Sequence, residues 1–462
     1  MQTETNVTFD EIKIGHTATI TRRLTGADVE ALALVAGDAD AFQIGNGDQK
    51  SGEFHTEAVG TEALLSSLLN RKLPGPGTSI AAQDLHFEGS VRPGEELVAT
   101  ITAREKKAKG ALVVFDCKVR SDRRDLVNGT ITVRAPEKRL RYTQMGTPQV
   151  ILRRTDKYAK LMQKCEGIPA VKCAVAYPCD HDSLVGPIEA AKLGLIDPIL
   201  VGPEEKIRAL AKVEKVDLAP YRIVPAEHSH DSAAKAVALV RAGEAEALMK
   251  GSLHTDELMS AVVSSATGLR TSRRISHVFI MDVPTHPNAL AITDAAINIA
   301  PTLEDKVHIA QNAIDLVRVL GVAQPKVAIL SAVETINPKI PSTIDAAALC
   351  KMADRGQITG AILDGPLAFD NAISEQAART KKIASPVAGK ADILLVPDLE
   401  AGNMLAKQLQ YLAGADAAGI VLGARVPIVL TSRADNVRTR LASIAVMKLV
   451  AHARRTAAQP VT

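Results

Sequence analysis

The chain has 462 residues, of which 46% are hydrophobic and 23% are charged, and its formal net charge is +3. This length exceeds what one hydrophobic core usually serves, so at least two domains are predicted, and the composition excludes a largely disordered chain. No run of lysine and arginine interleaved with aromatic residues occurs, so nothing indicates nucleic-acid binding, whereas a small anionic substrate is compatible with the charge.

The cysteines and the N-terminus bear on cellular location. The five cysteines are odd in number and lack C-x-x-C spacing, which argues against a disulfide framework and a zinc site; they are Cys117, Cys165, Cys173, Cys179 and Cys350. Residues 1–8 are polar, and no stretch of about 18 apolar residues follows them. We therefore predict a cytoplasmic protein that is neither exported nor inserted in a membrane, with no metal site.

Residues 9–135 carry helical segments followed by alternating strands. Apolar residues recur at helical spacing in 25–35 and 62–69. After a Pro- and Gly-rich break come four segments that alternate or are rich in Val, Ile and Thr, at 85–87, 96–104, 111–119 and 127–133. This order predicts an α+β domain, residues 1–140, in which an antiparallel sheet wraps a helix.

A basic, proline-containing stretch, residues 141–157, is predicted to be a linker. Beyond it, residues 158–462 alternate short apolar runs with Ala-rich helical stretches, which is typical of an α/β domain with a largely parallel sheet. The predicted strands lie at 174–176, 199–201, 247–249, 327–330, 360–363, 393–396 and 428–430. Because ligands of such folds bind beyond the carboxyl ends of the strands, the residues that follow these runs are candidates for a site.

Polar residues follow several of the buried segments. Ser252, His254 and Thr255 follow the strand at 247–249, and Ser432 and Arg433 follow the strand at 428–430. Hydroxyl groups and a cation at the start of a helix can hold an anion, although Ser, Thr and Asp also occur there as plain helix N-caps. Further segment ends carry Asp294 with Asn298, Asp364, and Asn403. The convergence of five such sites on one sheet edge predicts a polar cleft.

Two single residues leave alternatives open. His254 is either a general base or a hydrogen-bonded structural residue. Cys179 is either a nucleophile or a structural thiol, and we favour the structural thiol because no arrangement of histidine and carboxylate can be inferred around it. A phosphate loop G-x-x-x-x-G-K-[ST] and a strand followed by G-x-G-x-x-G do not occur, so nucleotide hydrolysis and dinucleotide-dependent oxidation have no support.

The segment from about residue 158 to residue 455 resembles the phosphate acetyltransferase and phosphate butyryltransferase family. Several separate stretches in one order carry the resemblance, namely 249–256 (MKGSLHTD), 292–301 (ITDAAINIAP), 364–370 (DGPLAFD), 400–404 (EAGNM) and 427–435 (PIVLTSRAD). The resemblance implies two α/β lobes around a cleft, in which the thiol of coenzyme A attacks an acyl phosphate. No bound cofactor is expected, since coenzyme A and phosphate are substrates.

The resemblance also suggests roles for single residues. Ser432 and Arg433 match the family's Ser-Arg pair, which are the expected catalytic residues. A guanidinium can hold two phosphate oxygens while charge builds on the carbonyl oxygen and on the departing phosphate. In acetyl-type members an aspartate, a candidate base, lies seven positions after the serine, where this chain has Thr439. The proton acceptor therefore stays unassigned, and the departure favours the butyryl-type branch.

The N-terminal part resembles the MaoC-like hot-dog family of (R)-specific enoyl-CoA hydratases. The resemblance rests on residues 73–78 (LPGPGT), Phe87 and residues 91–95 (VRPGE). The hydratase motif reads G-D-x-N-P-x-H, and this chain has GDADAFQ at 37–43. Asp38 matches the motif, but Gln43 replaces the histidine and cannot act as a base at neutral pH. We therefore predict that hydration is lost or very weak.

Three readings follow. The first is a phosphate acyltransferase whose N-terminal domain is structural, oligomerising or acyl-CoA-sensing. The second is a bifunctional hydratase and acyltransferase, in which Asp38 works with a relocated partner such as His55. The third is a non-catalytic acyl-CoA-binding regulator, against which the retention of Ser432 and Arg433 argues. Both families imply a homo-oligomer, and the sequence leaves the acyl chain length open.

Overall fold

The computed structural model describes residues 3–25, 28, 59–89, 91, 94–121, 124–143, 156–430 and 436–458. The chain divides into two units, Met1–Leu152 and Arg153–Thr462. Within the described residues, no helix is long and apolar enough to cross a membrane.

The first unit is a five-stranded antiparallel sheet with one long helix against it. Its strands have the order β2-β4-β5-β6-β3, and β1 pairs separately with β7. The elements are β1 (Thr3–Thr5), β2 (Thr17–Arg23), α1 (Val59–Arg71), β3 (Ser79–Phe87), β4 (Glu96–Lys107), β5 (Leu112–Ser121), β6 (Arg124–Arg134) and β7 (Arg141–Thr143). Helix α1 contains the predicted segment 62–69, and the predicted segment 25–35 lies almost wholly outside the described residues.

The core of this unit lies between the helix and one face of the sheet. Leu64, Leu65, Leu68 and Leu69 form one stripe of α1 because the pairs 64/68 and 65/69 are each one helical turn apart, and all four are buried. On the sheet side, alternate residues of β4 starting at Leu97 are buried in the same cluster. Each fully buried leucine contributes about 1.5–3 kcal/mol, which holds the helix against the sheet.

The second unit alternates strands and helices. Its elements are α2 (Asp156–Lys164), β8 (Val171–Ala176), α3 (His181–Lys192), β9 (Ile196–Gly202), α4 (Glu204–Glu214), β10 (Arg222–Pro225), α5 (Ser229–Arg241), β11 (Ala247–Lys250), α6 (Thr255–Val263), β12 (Ser276–Asp282), β13 (Leu290–Thr293), α7 (Leu303–Val319), β14 (Lys326–Leu330), α8 (Pro341–Asp354), β15 (Ile362–Leu367), α9 (Phe369–Ile373), α10 (Glu375–Thr380), β16 (Ile393–Leu395), α11 (Leu399–Tyr411), β17 (Asp416–Leu422), β18 (Ile428–Val429) and α12 (Val437–Ala458).

These strands form one mixed sheet of order β10-β9-β8-β11-β18-β17-β12-β13-β16-β14-β15. Neighbours are parallel from β10 to β18 and again from β13 to β15. The three pairings between these groups, β18 with β17, β17 with β12 and β12 with β13, are antiparallel. We call β8–β11 with β18 the first lobe, β13–β16 the second lobe, and β12 and β17 the central strands.

Three reversals of direction make the strands of the two lobes run in opposite senses. Most pairings are parallel, as predicted. The carboxyl ends of the two lobes point in opposite directions, but Val429 of β18 and Thr293 of β13 both lie level with Val278 of β12, so these ends share one row of the sheet. That the candidate residues after these strands form one polar cleft stays a prediction. Pairing direction depends on contacts far apart in sequence, which the pattern of apolar runs does not encode.

The helical layers differ between the two faces of the sheet. One face carries a single apolar cluster that spans both lobes and includes residues of α3, α7, α8 and α12. The other face carries two separate clusters, one under α5 and α6 on the first lobe and one under α9, α10 and α11 on the second. On this second face the lobes therefore have separate helical layers that meet over the central strands.

Candidate functional site

The two predicted catalytic residues, Ser432 and Arg433, lie outside the described residues, as do Asp38, Gln43 and His55. The strand that precedes the pair is described. Val429 of β18 pairs with Met249 of β11, so the chain leaves β18 beside the strand end that leads to Ser252. Strand pairing therefore places two of the predicted segment ends next to each other in the first lobe.

Ser252 joins two loops of the first lobe. Its Oγ donates to the carbonyl oxygen of Tyr177 at 3.0 Å and accepts the backbone N–H of Cys179 at 3.2 Å. The preceding residue must be a glycine, because a Cβ on Gly251 would lie 2.4 Å from the carbonyl oxygens of Ala176 and Tyr177. The loop after β8 and the loop after β11 are thus fixed against each other.

The residues around Ser252 provide a buried cation and an exposed imidazole. Lys250, the last residue of β11, is only 4% exposed, and its Nζ donates to the carbonyl oxygens of Gly251 and Leu253 at 3.2 Å. His254 is exposed at the N-cap of α6 and makes no capping hydrogen bond, and Thr255 begins that helix. Lys250 was missed as a candidate, although a lysine that ends an apolar run is a visible signal.

Asp294 organises the turn after β13. The carboxylate is 2% exposed, and its Oδ1 accepts the backbone N–H groups of His277, Ala296 and Ile297 at 3.0–3.3 Å. Its Oδ2 accepts the backbone N–H of Asn298 at 3.1 Å and the Nδ2 of the same residue at 2.5 Å. Such a carboxylate is occupied by the protein itself, so its contribution is to fix the turn.

Asn298 and Asn403 extend the same cluster. Asn298 accepts the Nε of Arg274 at 2.8 Å and donates to the carbonyl oxygen of Ile275 at 2.9 Å. Asn403 of α11 donates to the carbonyl oxygen of Ala295 at 3.2 Å. Helix α11 can approach this turn closely because Gly402 has no side chain. A Cβ at this position would lie 2.6 Å from the carbonyl oxygen of Asp294. Three predicted residues therefore form one hydrogen-bonded group in the second lobe.

Asp364 does not join this group. It lies half-buried on β15, which is three strands from β13, and its Oδ1 accepts the N–H of Gly365 at 2.9 Å. Three steps between neighbouring strands correspond to about 14 Å. The sheet order thus separates Asp364 from Asp294, Asn298 and Asn403.

His277 connects the second-lobe turn with the strand that leads to Ser432. It is fully buried on β12, its backbone N–H binds Asp294, and its carbonyl oxygen accepts the Oγ1 of Thr293 at 2.8 Å. A Cβ on Gly419 of β17 would lie 3.0 Å from the Nε2 of His277 and 3.1 Å from the carbonyl oxygen of Leu430. The sequence signal for this residue was a lone histidine within an otherwise apolar strand.

The thiols are poor nucleophiles. Burial raises the pKa of Cys179 to about 11 and that of Cys350 to about 12. This supports the structural interpretation of Cys179.

Thr439, at the position of the family's candidate base, is buried, and its carbonyl oxygen accepts a hydrogen bond from the Oγ of Ser443 at 2.8 Å. Among the described residues, no three His, Cys, Asp or Glu side chains are grouped as metal ligands.

Comparison with known proteins gives matches over the second unit. Residues 225–448 match the family model described as phosphate acetyl/butaryl transferase. A phosphate acetyltransferase of Rhizobium meliloti is 67% identical over 303 residues, which are 66% of this chain and 96% of that relative. A phosphate butyryltransferase of Clostridium acetobutylicum is 42% identical over 294 residues, which are 64% of this chain and 98% of that relative.

Solved structures agree with these matches. A branched-chain phosphotransacylase from Enterococcus faecalis has a TM-score of 0.55 and 31% sequence identity, and the match covers 61% of this chain and 99% of that chain. An EutD phosphotransacetylase from Staphylococcus aureus has a TM-score of 0.54 at 21% identity, covering 64% of this chain and 99% of that chain. The mixed sheet with two lobes is therefore the fold of these proteins.

Proposed function

The chain belongs to the phosphate acetyl/butyryl transferase family and exchanges an acyl group between coenzyme A and inorganic phosphate, and we propose that Ser432 and Arg433 carry this reaction. The observation that supports the assignment is the pairing of β18 with β11, which brings the segment before Ser432 beside the buried Lys250 and the Ser252 loop. Cations at this strand end favour a phosphate and the negative charge that develops on it.

In the proposed reaction, the sulfur of coenzyme A attacks the carbonyl carbon of the acyl phosphate. The carbon–oxygen bond to phosphate then breaks, phosphate leaves with the bonding electrons, and the thiol proton passes to a base that stays unassigned. Arg433 holds phosphate oxygens and stabilises the charge, while Ser432 donates a hydrogen bond to the phosphate or the thiolate. The coenzyme and phosphate are substrates, and the acyltransferase chemistry needs no resident cofactor.

We further propose roles for the remaining candidate residues. Ser252, His254 and Thr255 lie on the first-lobe loop and bind substrate there. Asp294, Asn298 and Asn403 act through the turn that they hold, since their hydrogen bonds go to this chain. Asp364 is proposed to bind substrate only by the resemblance, and its distance from the other second-lobe residues weakens that role.

For the N-terminal part we propose a hot-dog domain, residues 1–140, joined by a linker, 141–157, to the transferase domain, 158–462. The support is the buried helix α1 against a five-stranded antiparallel sheet. We propose that its hydratase site is degenerate because Gln43 replaces the motif histidine. The second candidate, a bifunctional enzyme, requires Asp38 to act with another residue such as His55.

Location and assembly are also proposals. The five cysteines are free thiols, which supports a reducing compartment such as the cytoplasm. A homo-oligomer is proposed from the two family resemblances, and size-exclusion chromatography with light scattering would measure its order.

The first experiment assays the purified full chain for phosphate-dependent consumption of acetyl-, propionyl- and butyryl-CoA, together with hydration of crotonyl-CoA. We expect acyl transfer without hydration. Arg433→Ala should lower kcat/KM by about 10³-fold or more, because a charge-stabilising donor is lost, and Arg433→Lys should recover part of it. Hydration at an enzymatic rate would instead favour the bifunctional reading.

The matched control is Arg222→Gln, which removes an exposed arginine paired with Glu244 on the edge strand β10. It should leave kcat/KM unchanged. Full activity of Arg433→Ala would show that the proposed catalytic pair is wrong, whereas absence of acyl transfer with all three thioesters would contradict the activity itself.

A further inference from the structure

A buried histidine lies where the two lobes meet and has no part in the reaction described so far. His277 is the second residue of β12, and its side chain is fully buried. Val278 and Ile280 pack with the apolar cluster that spans both lobes on one face of the sheet. Phe279 and Met281 pack with the second-lobe cluster on the other face. Because side chains alternate along a strand, His277 lies on the face of Phe279, where the two lobes have separate helical layers.

The imidazole has a defined position on this face. Its ring meets the ring of Phe279 edge-on, with 4.3 Å between the ring centroids. Gly419 of β17 lies opposite Phe279, and a Cβ on this glycine would lie only 3.0 Å from the Nε2 of His277. The glycine at position 419 therefore leaves the space that the imidazole occupies.

The end of β18 lies beside this imidazole. A Cβ on Gly419 would also lie 3.1 Å from the carbonyl oxygen of Leu430, so this oxygen and the Nε2 of His277 lie close to the same point. Ser432 follows Leu430 by two residues, and two residues of chain span at most about 7 Å. Chain connectivity alone therefore puts the imidazole within reach of the Ser432 hydroxyl.

Hydrogen bonds connect Gly419 with the position of the family's candidate base. The N–H of Gly419 donates to the Oγ of Ser443 at 2.9 Å, and this Oγ donates to the carbonyl oxygen of Thr439 at 2.8 Å. Thr439 stands where acetyl-type members carry an aspartate, and a threonine hydroxyl is not a base at neutral pH. A short series of contacts thus leads from the position of the missing carboxylate to the imidazole of His277.

The polar neighbours of His277 hold its backbone. Its N–H donates to the Oδ1 of Asp294 at 3.3 Å, and its carbonyl oxygen accepts the Oγ1 of Thr293 at 2.8 Å. The carboxylate of Asp294 therefore orients the strand, while the ring lies against Phe279 and Gly419. An imidazole changes its charge near neutral pH and is the side chain that enzymes use most often as a base.

We propose that His277 is the proton acceptor of the acyl transfer and acts through the hydroxyl of Ser432. This inference rests on the proposed reaction at Ser432 and Arg433, which leaves the acceptor unassigned. As the sulfur of coenzyme A forms its bond to the carbonyl carbon, the thiol proton passes to the Oγ of Ser432, whose own proton passes to the Nε2 of His277. His277 does not touch the substrate in this relay, so it is a positioning residue that stores the proton.

The proton returns in the second half of the step. The carbon–oxygen bond to phosphate breaks with its electron pair on phosphate, and the imidazolium gives its proton back through Ser432 to the leaving phosphate. The products are the thioester, hydrogen phosphate and a neutral His277, so the atoms and charges balance without a further reactant.

The test measures kcat/KM against pH for acyl transfer from acetyl and butyryl phosphate to coenzyme A. His277→Gln keeps a side chain that forms hydrogen bonds but accepts no proton, and at about pH 6.5 we expect it to be slower by about 10²-fold or more. The deficit should shrink by about tenfold per pH unit towards pH 8.5, where a thiol ionises by itself. A purely structural role would give the same deficit at every pH.

Two matched controls separate the relay from packing. Phe279→Leu changes the packing of the imidazole but leaves its acceptor, so its deficit should be small and independent of pH. Arg222→Gln, on the edge strand β10, should change no rate. Urea denaturation of each variant checks that it folds.

A double variant tests whether His277 and Ser432 act as a unit. Ser432→Ala combined with His277→Gln should be about as slow as the slower single variant, because residues of one relay are not additive. Should His277→Gln fail to fold, Ser432→Ala carries the same test, since it interrupts the relay and should show the same rise of kcat/KM with pH.

The outcomes separate this proposal from the proposed reaction. A deficit that is equal at all pH values, or effects that multiply in the double variant, would overturn the relay and leave the roles of Ser432 and Arg433 standing. Full activity of Ser432→Ala would overturn the role of Ser432 and the relay through it. Absence of acyl transfer by the unchanged chain would contradict the activity itself and the relay with it.

Discussion

The two lobes of the second unit use the ends of their strands differently. In the first lobe, the loop after β11 carries the exposed His254, while the buried Lys250 at the end of β11 donates to two carbonyl oxygens of the same loop. In the second lobe, the carboxylate of Asp294 receives five donors from the protein and is closed to solvent. In the second lobe such a residue builds the frame of its turn, whereas the exposed His254 of the first lobe is open to the ligand that we propose for it.

The largest expected effect on stability tests whether Asp294 fixes the turn after β13 in the second lobe. Asp294→Ala removes the acceptor of several buried N–H groups, so we expect the free energy of unfolding to fall by about 3 kcal/mol or more. Urea denaturation followed by circular dichroism measures it. Asp294→Asn, which keeps one acceptor oxygen, should lose less, and an unchanged unfolding midpoint for the alanine variant would contradict the framing role.

The matched change in the first lobe is Ser252→Ala. It leaves the N–H of Cys179 without its hydroxyl acceptor, in a loop that other contacts still hold, so a loss of about 1 kcal/mol is expected. The same urea titration measures this value, and a loss as large as that of Asp294→Ala would remove the contrast between the lobes. The KM of Ser252→Ala for acyl phosphate would show whether Ser252 also binds substrate, in addition to holding the loop.

A smaller, pH-dependent effect concerns the end of the first lobe. The hydrogen bond from Arg455 of α12 lowers the pKa of Glu246, next to the start of β11. A depressed carboxyl pKa gives stability that is present above the unfolded pKa of about 4.3 and is lost as the pH falls through the folded pKa. Glu246→Gln should therefore flatten the loss of stability between neutral and acidic pH, measured by thermal unfolding at several pH values; an identical pH profile would contradict this link.

The smallest effect is expected at Cys179. Burial raises the pKa of Cys179 to about 11, which keeps its thiol protonated near neutral pH and argues against a role as nucleophile. Cys179→Ala should retain acyl transfer within about twofold of the unchanged chain in the coupled assay. A hundredfold or greater loss of acyl transfer in a variant that still folds would show that the thiol takes part in the reaction.

Seven strands of the two lobes could be predicted because short apolar runs bounded by glycine or polar residues mark them, as at 247–249 and 428–430, where β11 and β18 are found. Strands β10, β12, β13 and β17 were not among the predicted strands. The full reversal of direction could not, because it depends in part on the pairing of β12 with β17, which lies more than a hundred residues further along the chain. The sequence around Asp294 indicates that its carboxylate could bind its own turn. An aspartate followed by an asparagine four residues later is suited to a turn held by hydrogen bonds from the backbone to the side chain.

The order of the strands has a consequence for synthesis of the chain. The first lobe is begun by residues 171–263, but β18 and most of the helical cover from α12 come only from residues 428–458, after the second lobe has been made. The ribosome must therefore synthesise the chain as far as residue 429 before the first lobe can close, and until then the edge of β11 that β18 will occupy is unpaired. An emerging chain with such an open edge is a natural substrate for chaperones, which makes residues 428–458 a determinant of productive folding.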